Sequence, residues 1–338
     1  MEYKKLGKTD LNVSLMGVGG IPLQRFSKEN ALEILTKAFE LGVNFIDTAR
    51  GYTVSEELLG YALENLGRDK FIIATKSIKR DYEGIKNEIE TSLKNLRTDY
   101  IDLYQCHFVS THQELELISS ENGALKALKS AVKEGKIGHF GITSHNKQVA
   151  LSAIDTNIFE TIQFPFSFLE TDGEEIFLKA KQKDMGTIVM KPLGGGAIKN
   201  TDLSLRYLTC KDYVDTIIPG VDNAEQLSIN AVSFLNKSVL TKDELNKIEE
   251  EKQILGNSFC RRCDYCQPCP SEIQISLIFN AYAYYKRYGL TTWAEDKYKA
   301  CQKNILNCID CGQCELKCPY TLSIRAMLKE SHELLYRG

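Results

Sequence analysis

Short apolar runs recur through the first 240 positions, and the stretches between them repeat apolar residues at the three-to-four spacing of a one-sided helix. The runs predict strands near 14–19, 43–47, 71–75, 100–106, 137–142, 160–164, 186–190 and 214–218. The intervening patterns predict helices near 28–41, 55–66, 82–96, 122–134, 146–154, 173–183, 201–210 and 223–235, often begun by Ser, Thr, Asp or Asn. Ser55, with Glu56 and Glu57 behind it, reads as an N-cap. Residues 3–13 predict a hairpin of two short strands turning around residues 7–10. Eight strand–helix units of this regularity predict an α/β fold, a closed parallel (β/α)8 TIM barrel. A doubly wound sheet shares the periodicity, but eight units without a break in strand order favour the barrel. The pattern divides the chain into a barrel over 1–240, a charged linker helix over 241–256, and a domain over 257–338 rich in Cys, Tyr and short apolar helices.

Composition narrows the function. With 42 Lys and Arg against 45 Asp and Glu, and no long basic block, the chain offers no nucleic-acid footprint. No apolar run approaches the roughly 20 residues of a membrane span, and the first residues have no signal-peptide core. A cytoplasmic protein without a membrane partner is expected. Of eleven cysteines, nine fall between Cys260 and Cys318 in close-spaced runs, a pattern for metal rather than for a secreted disulfide scaffold.

Candidate chemistry gathers at strand ends, where a barrel builds its active site. Residues 43–60 read VNFIDTARGYTVSEELLG, an apolar strand ending on Asp47 with Tyr52 in the loop beyond it. The next strand, FIIATK, ends on Lys76, and the one after, YIDLYQCH, ends on His107. Each of these side chains alone reads as structural more readily than catalytic, but at three successive strand ends they form a set. A tyrosine of pKa about 10 becomes a usable proton donor when an ammonium stabilises its phenolate and a carboxylate holds that ammonium. In this order the residues resemble the catalytic tetrad of the aldo-keto reductases. The resemblance implies carbonyl reduction by NADP(H) or NAD(H), with Tyr52 as proton donor, Lys76 and Asp47 tuning it, and His107 orienting the carbonyl.

Gly17, Gly19 and Gly20 lack the G-x-G-x-x-G spacing of a Rossmann turn. The family resemblance instead implies nicotinamide contacts from Thr143, Ser144, Gln163 and Met190, and pyrophosphate contacts from the strand-seven loop, Lys191, Pro192, Leu193 and Gly194. It implies adenosine contacts near Gly220, Gln226 and Asn230. Met190 replaces an aromatic residue common in relatives. Gly220 and Gln226 stand where NADPH-preferring relatives often carry cations, so NADH and NADPH both remain open.

The C-terminal cysteines read CRRCDYCQPCP and CIDCGQCELKCP, the second with the C-x2-C-x2-C-x3-C-P spacing of bacterial ferredoxins. That spacing implies two 4Fe-4S clusters, one on Cys260, Cys263, Cys266 and Cys318, the other on Cys308, Cys311, Cys314 and Cys269. Zinc knuckles are the rival. The helical pattern between the runs implies an α-helical ferredoxin-like domain, and with it the whole chain resembles an aldo-keto reductase subfamily with a C-terminal 4Fe-4S unit. Cys301, Cys106 and Cys210 read as packed thiols, and the tyrosines around Trp293 as packing. No flavin motif is evident. The expected function is reduction of a small aldehyde or ketone, with clusters passing electrons to a ferredoxin or another redox protein. The alternative is a nicotinamide-binding sensor or electron-transfer module with little turnover.

Overall fold

The computed structural model describes residues 1–336. The chain forms two compact units, one of Met1–Leu193 with Asn200–Leu240, the other of Gly194–Lys199 with the chain from Thr241 onward.

The first unit opens with a hairpin, β1 (Tyr3–Lys5) and β2 (Asn12–Ser14), paired antiparallel with Lys4 opposite Val13. Eight parallel strands follow: β3 (Gly17–Gly19), β4 (Phe45–Asp47), β5 (Ile72–Ser77), β6 (Ile101–Cys106), β7 (Ile137–Thr143), β8 (Thr161–Pro165), β9 (Gly186–Met190) and β10 (Thr216–Ile218). They are hydrogen-bonded in sequence order, and β3 returns to β10 through isolated bridges at Met16–Ile217 and Gly19–Gly220. The result is a nearly closed barrel. The predicted strand at 14–19 divides, its first residue pairing in the hairpin and its last three in the barrel.

Strand alternation sorts the side chains into two layers. Phe45, Ala74, Leu103, Ile188 and Ile218 pack with Leu6 and Val13 of the hairpin region in one buried cluster, which fills the barrel. Their strand neighbours Ile46, Ile73, Tyr104, Ile142, Val189 and Ile217 join the larger cluster with the helices. The helices are α1 (Lys28–Glu40), α2 (Ser55–Leu66), α3 (Tyr82–Leu96), α4 (His112–Ser119), α5 (Ala124–Lys133), α6 (Lys147–Asp155), α7 (Gly173–Gln182), α8 (Thr201–Thr209) and α9 (Ala224–Leu235). Helix α4 lies between the predicted strand at 100–106 and the predicted helix at 122–134, where the pattern assigns no element. Thr111 and Glu114 form a reciprocal capping box at its start, a signal present in the sequence. Ser55 is the first helical residue rather than the cap, its hydroxyl bonded to Gly20 O and Thr48 Oγ1.

The second unit contains α10 (Lys242–Gly256), α11 (Ile275–Tyr288), α12 (Thr291–Lys299), α13 (Gln313–Leu316) and α14 (Ile324–Leu335). The expected ferredoxin-like domain is corrected here. Among the described residues this unit is helix and irregular chain with no strand, and its fold is not ferredoxin-like. Its core residues Ile275, Ile278, Phe279, Ala294, Tyr298, Leu328 and Leu335 recur at helical spacing, so burial selects packed helices. No described helix is long and apolar enough to cross a membrane.

Candidate functional site

Asp47 ends β4 and Lys76 lies near the end of β5, both buried and both facing the barrel interior beyond the apolar cluster. Lys76 Nζ donates to Asp47 Oδ1 at 2.5 Å and to the carbonyl of Thr48 at 2.7 Å. Gln105, two residues after the inward-facing Leu103 and therefore on the same face of β6, donates to Asp47 Oδ2 at 3.4 Å. Burial pushes Asp47 above the usual carboxylate range and Lys76 below the usual lysine range, while their mutual attraction opposes both shifts.

Tyr52 is buried, and Lys76 Nζ lies 5.0 Å from its ring centroid. The His107 ring meets Tyr52 edge-on, with centroids 5.8 Å apart. The four residues expected from sequence are thus brought together. Arg80, which sequence reading missed, donates to the carbonyls of His107 at 2.8 Å and Phe108 at 3.1 Å, and pairs with Glu114. Phe108 has φ +55°, so this guanidinium secures a left-handed turn directly after His107.

The expected cofactor residues divide into three groups. Thr143 and Gln163 are paired across β7 and β8, and both are buried. The Thr143 hydroxyl accepts the Phe108 N–H at 2.8 Å. Ser144 donates to Val109 O at 2.7 Å, so its hydroxyl serves the loop beyond His107. Met190 ends β9, and Lys191, at φ +54°, brings Nζ within 2.9 Å of His145 Nε2, a pairing the sequence did not disclose. Pro192 O accepts from Ser204, and Leu193 packs against the main core. Gly194, at φ +57°, belongs to the second unit. Gly220 bridges to Gly19, and Gln226 Oε1 accepts the Asp222 N–H at 2.6 Å. Asn230 is buried on α9.

Two buried atoms among these, Gln163 Oε1 and Asn230 Nδ2, have no hydrogen-bond partner among the described residues. Unsatisfied buried groups are costly, and an amide acceptor and an amide donor suit the polar groups of a dinucleotide. In that respect the residues fit the expected cofactor.

The cysteine assignments are corrected. Cys260, Cys263, Cys266 and Cys318 line one small hollow of the second unit, and Cys269, Cys308, Cys311 and Cys314 line another. All eight thiols are free. Among the described residues no group of three or more His, Cys, Asp or Glu side chains is placed to hold a metal ion. The sequence spacing brings the thiols to the walls of each hollow but does not converge three of them on one ion. The two-cluster ligand sets, the iron-sulfur subfamily and the electron-transfer role are therefore not retained. Cys210, expected to be packed, is exposed at the end of α8, because its helix turns that position outward.

Comparison with known proteins gives two family matches. The aldo/keto reductase family matches residues 15–203, more than half of the chain. A family described as a 4Fe-4S dicluster domain matches residues 259–323. This second match disagrees with the metal-site geometry of the same residues, and the function proposed below draws on the barrel alone.

The uncharacterized oxidoreductase YqkF of Bacillus subtilis is 27% identical over 302 residues, spanning 74% of this chain and 96% of that protein. The L-galactose dehydrogenase of Arabidopsis thaliana is 26% identical over 301 residues, spanning 74% and 93%. Among solved structures, the holo form of an aldo-keto reductase from Bacillus halodurans superposes with a TM-score of 0.63 at 26% identity, covering 74% of this chain and 96% of that one. The barrel, the residues gathered at its strand ends and the match over residues 15–203 lead to one conclusion: the chain belongs to the aldo/keto reductase family and is an oxidoreductase of that type.

Proposed function

We propose that the protein reduces an aldehyde or ketone to the alcohol at the expense of NADPH or NADH, with Asp47, Tyr52, Lys76 and His107 as its catalytic residues. The observation that carries the reading is the buried chain of contacts from Asp47 through Lys76 to Tyr52, with His107 against the same ring. The Tyr52 hydroxyl gives its proton to the carbonyl oxygen as negative charge develops there. The Lys76 ammonium stabilises the phenolate left behind, and Asp47 keeps that ammonium charged and in place. His107 orients the carbonyl oxygen by a hydrogen bond. The nicotinamide, when bound, supplies the hydride to the carbonyl carbon. Gln163 and Asn230 would hold the dinucleotide through their unpartnered amide atoms, with Thr143, Ser144, Met190, Lys191, Pro192, Leu193, Gly220 and Gln226 contributing the surrounding contacts.

The plant relative is named for the oxidation of L-galactose. By that likeness, sugar alcohols and aldoses belong in the same assay as simple aldehydes and ketones, run in both directions. Steady-state turnover followed by nicotinamide absorbance should show carbonyl-dependent oxidation of one dinucleotide. Tyr52→Phe should lower kcat by about 10²-fold or more, the scale of a lost general acid. Turnover unchanged by that substitution would rule out Tyr52 as the donor.

A further inference from the structure

Outside the barrel wall, directly behind the lysine strand, lies a second buried carboxylate that the chemistry above does not use. Glu56, in the first turn of α2, is 1% exposed. Its Oε1 accepts from Thr75 Oγ1 at 2.7 Å and from Ser92 Oγ at 2.8 Å. Its Oε2 accepts from Arg50 Nη1 at 2.6 Å and from Asn95 Nδ2 at 3.3 Å. All four groups can donate to the carboxyl oxygens they meet, two through hydroxyls, one through a guanidinium and one through an amide. The donors come from the loop after β4, from β5 and from α3. Arg50 extends the network, its Nε donating to Glu88 Oε2 at 3.0 Å and its backbone N–H to the carbonyl of Lys76 at 3.0 Å.

We propose that Glu56 and Arg50 are positioning residues for the Tyr52–Lys76 pair, the carboxylate tying the lysine strand to the tyrosine loop from outside the barrel. The proposal rests on Tyr52 and Lys76 acting as described above.

Three features carry it. Thr75 is the residue before Lys76, and alternation sends its side chain out to Glu56 while Lys76 points inward. Arg50 is two residues before Tyr52 and is held at both its main chain and its side chain, so the approach to Tyr52 is fixed relative to β5. A buried ion pair is a poor source of stability compared with apolar packing of the same volume, so four donors gathered on one carboxylate point to register rather than to core-building. The negative charge also favours the protonated form of Lys76 across the strand. The charged and titratable groups around this region are Asp47 and His107 inside the barrel, and Arg50, Glu88 and Tyr104 outside it.

The test uses the full chain and two variants, Glu56→Gln and Arg50→Lys. Glutamine keeps the shape and loses the charge. Lysine keeps the charge but cannot bridge Glu56 and Glu88 together. Four quantities are read: kcat, the nucleotide KM, the thermal unfolding midpoint, and the ultraviolet titration of the Tyr52 phenol in the resting protein, taken as the difference from Tyr52→Phe. In Glu56→Gln the phenol titration should move upward by roughly half a pH unit or more, as Lys76 loses a charge that supports its ammonium. Its kcat should fall about tenfold while the nucleotide KM stays within about twofold. Arg50→Lys should lower kcat similarly and leave the phenol titration in place.

Wild-type kcat and titration in both variants would overturn the proposal, as would kcat and nucleotide KM worsening together with thermal stability. If Glu56→Gln does not fold, Arg50→Lys decides, because Arg50 is partly exposed and its replacement leaves the carboxylate with three donors. Carbonyl turnover that survives Tyr52→Phe would refute the proposed catalytic role of Tyr52, but the phenol titration would still report whether Glu56 acts on Tyr52.

Discussion

The Asp47–Lys76 pair shows how burial and pairing compete at single residues. Burial alone favours the neutral lysine, so removing its carboxylate by Asp47→Asn should let the Lys76 pKa fall further. The alkaline limb of activity should then move to lower pH and kcat should drop by about tenfold or more, read from the pH–rate profile. His139 titrates in the opposite sense at the far end of β7. Its Nδ1 bonds Glu160 at 2.8 Å and its Nε2 bonds Asp10 at 2.7 Å. The Glu160 bond first, and the Asp10 bond after burial's opposing effect, raise the imidazole above its ordinary value. A folded-state pKa above the unfolded value of about 6.5 gives a contribution fully present below that pH, which is lost as pH rises through the folded value. Thermal unfolding midpoints should decline across that window, and His139→Asn should flatten the decline. An identical decline in the variant would place its origin elsewhere.

At the level of elements, α2 packs tightly on α3 at Gly60. A Cβ added there would lie 2.2 Å from the carbonyl oxygen of Asn95 and 2.8 Å from the carbonyl carbon of Leu96. Gly60→Ala should therefore cost about 1–3 kcal/mol of stability, measured by urea unfolding, despite alanine's better helix propensity. The same two helices carry Glu56, Ser92 and Asn95, so activity should decline together with stability in this variant. The segment after β6 is secured differently, by Arg80 on two carbonyls and by the Thr111–Glu114 capping box. Arg80→Ala should leave global stability nearly intact and lower kcat/KM for the carbonyl by about tenfold, as His107 loses its fixed orientation.

For the molecule as a whole, the eleven cysteines are all free, and their accessibilities differ widely. Cys210 and Cys311 are exposed, whereas Cys106 is fully buried and its thiol is pushed up to about 12. Thiol titration should give eleven groups per chain in denaturant without prior reduction. In the native protein Cys210 and Cys311 should react first and Cys106 last; a lower denatured count would reveal disulfides. The barrel was legible in the sequence because its two periods are local: alternation places Asp47, Lys76 and Gln105 on one face, and helical spacing places the outer layer. Helix α4 was equally legible through its capping box and was overlooked because its apolar stripe is short. The helical character of the C-terminal unit followed from spacing as well, whereas the placement of its thiols did not, since spacing along a chain does not specify convergence of side chains in space. By itself the sequence determined the order of strands and helices and which residues end each strand, because these depend on near neighbours. Only the tertiary structure decided that Lys76 reaches Asp47, that Glu56 stands behind Thr75, that Arg80 holds the carbonyl of His107, and that Ser144 turns to the loop. Each of those contacts joins residues distant in the chain, brought together by closure of the barrel and the packing of helices on its wall.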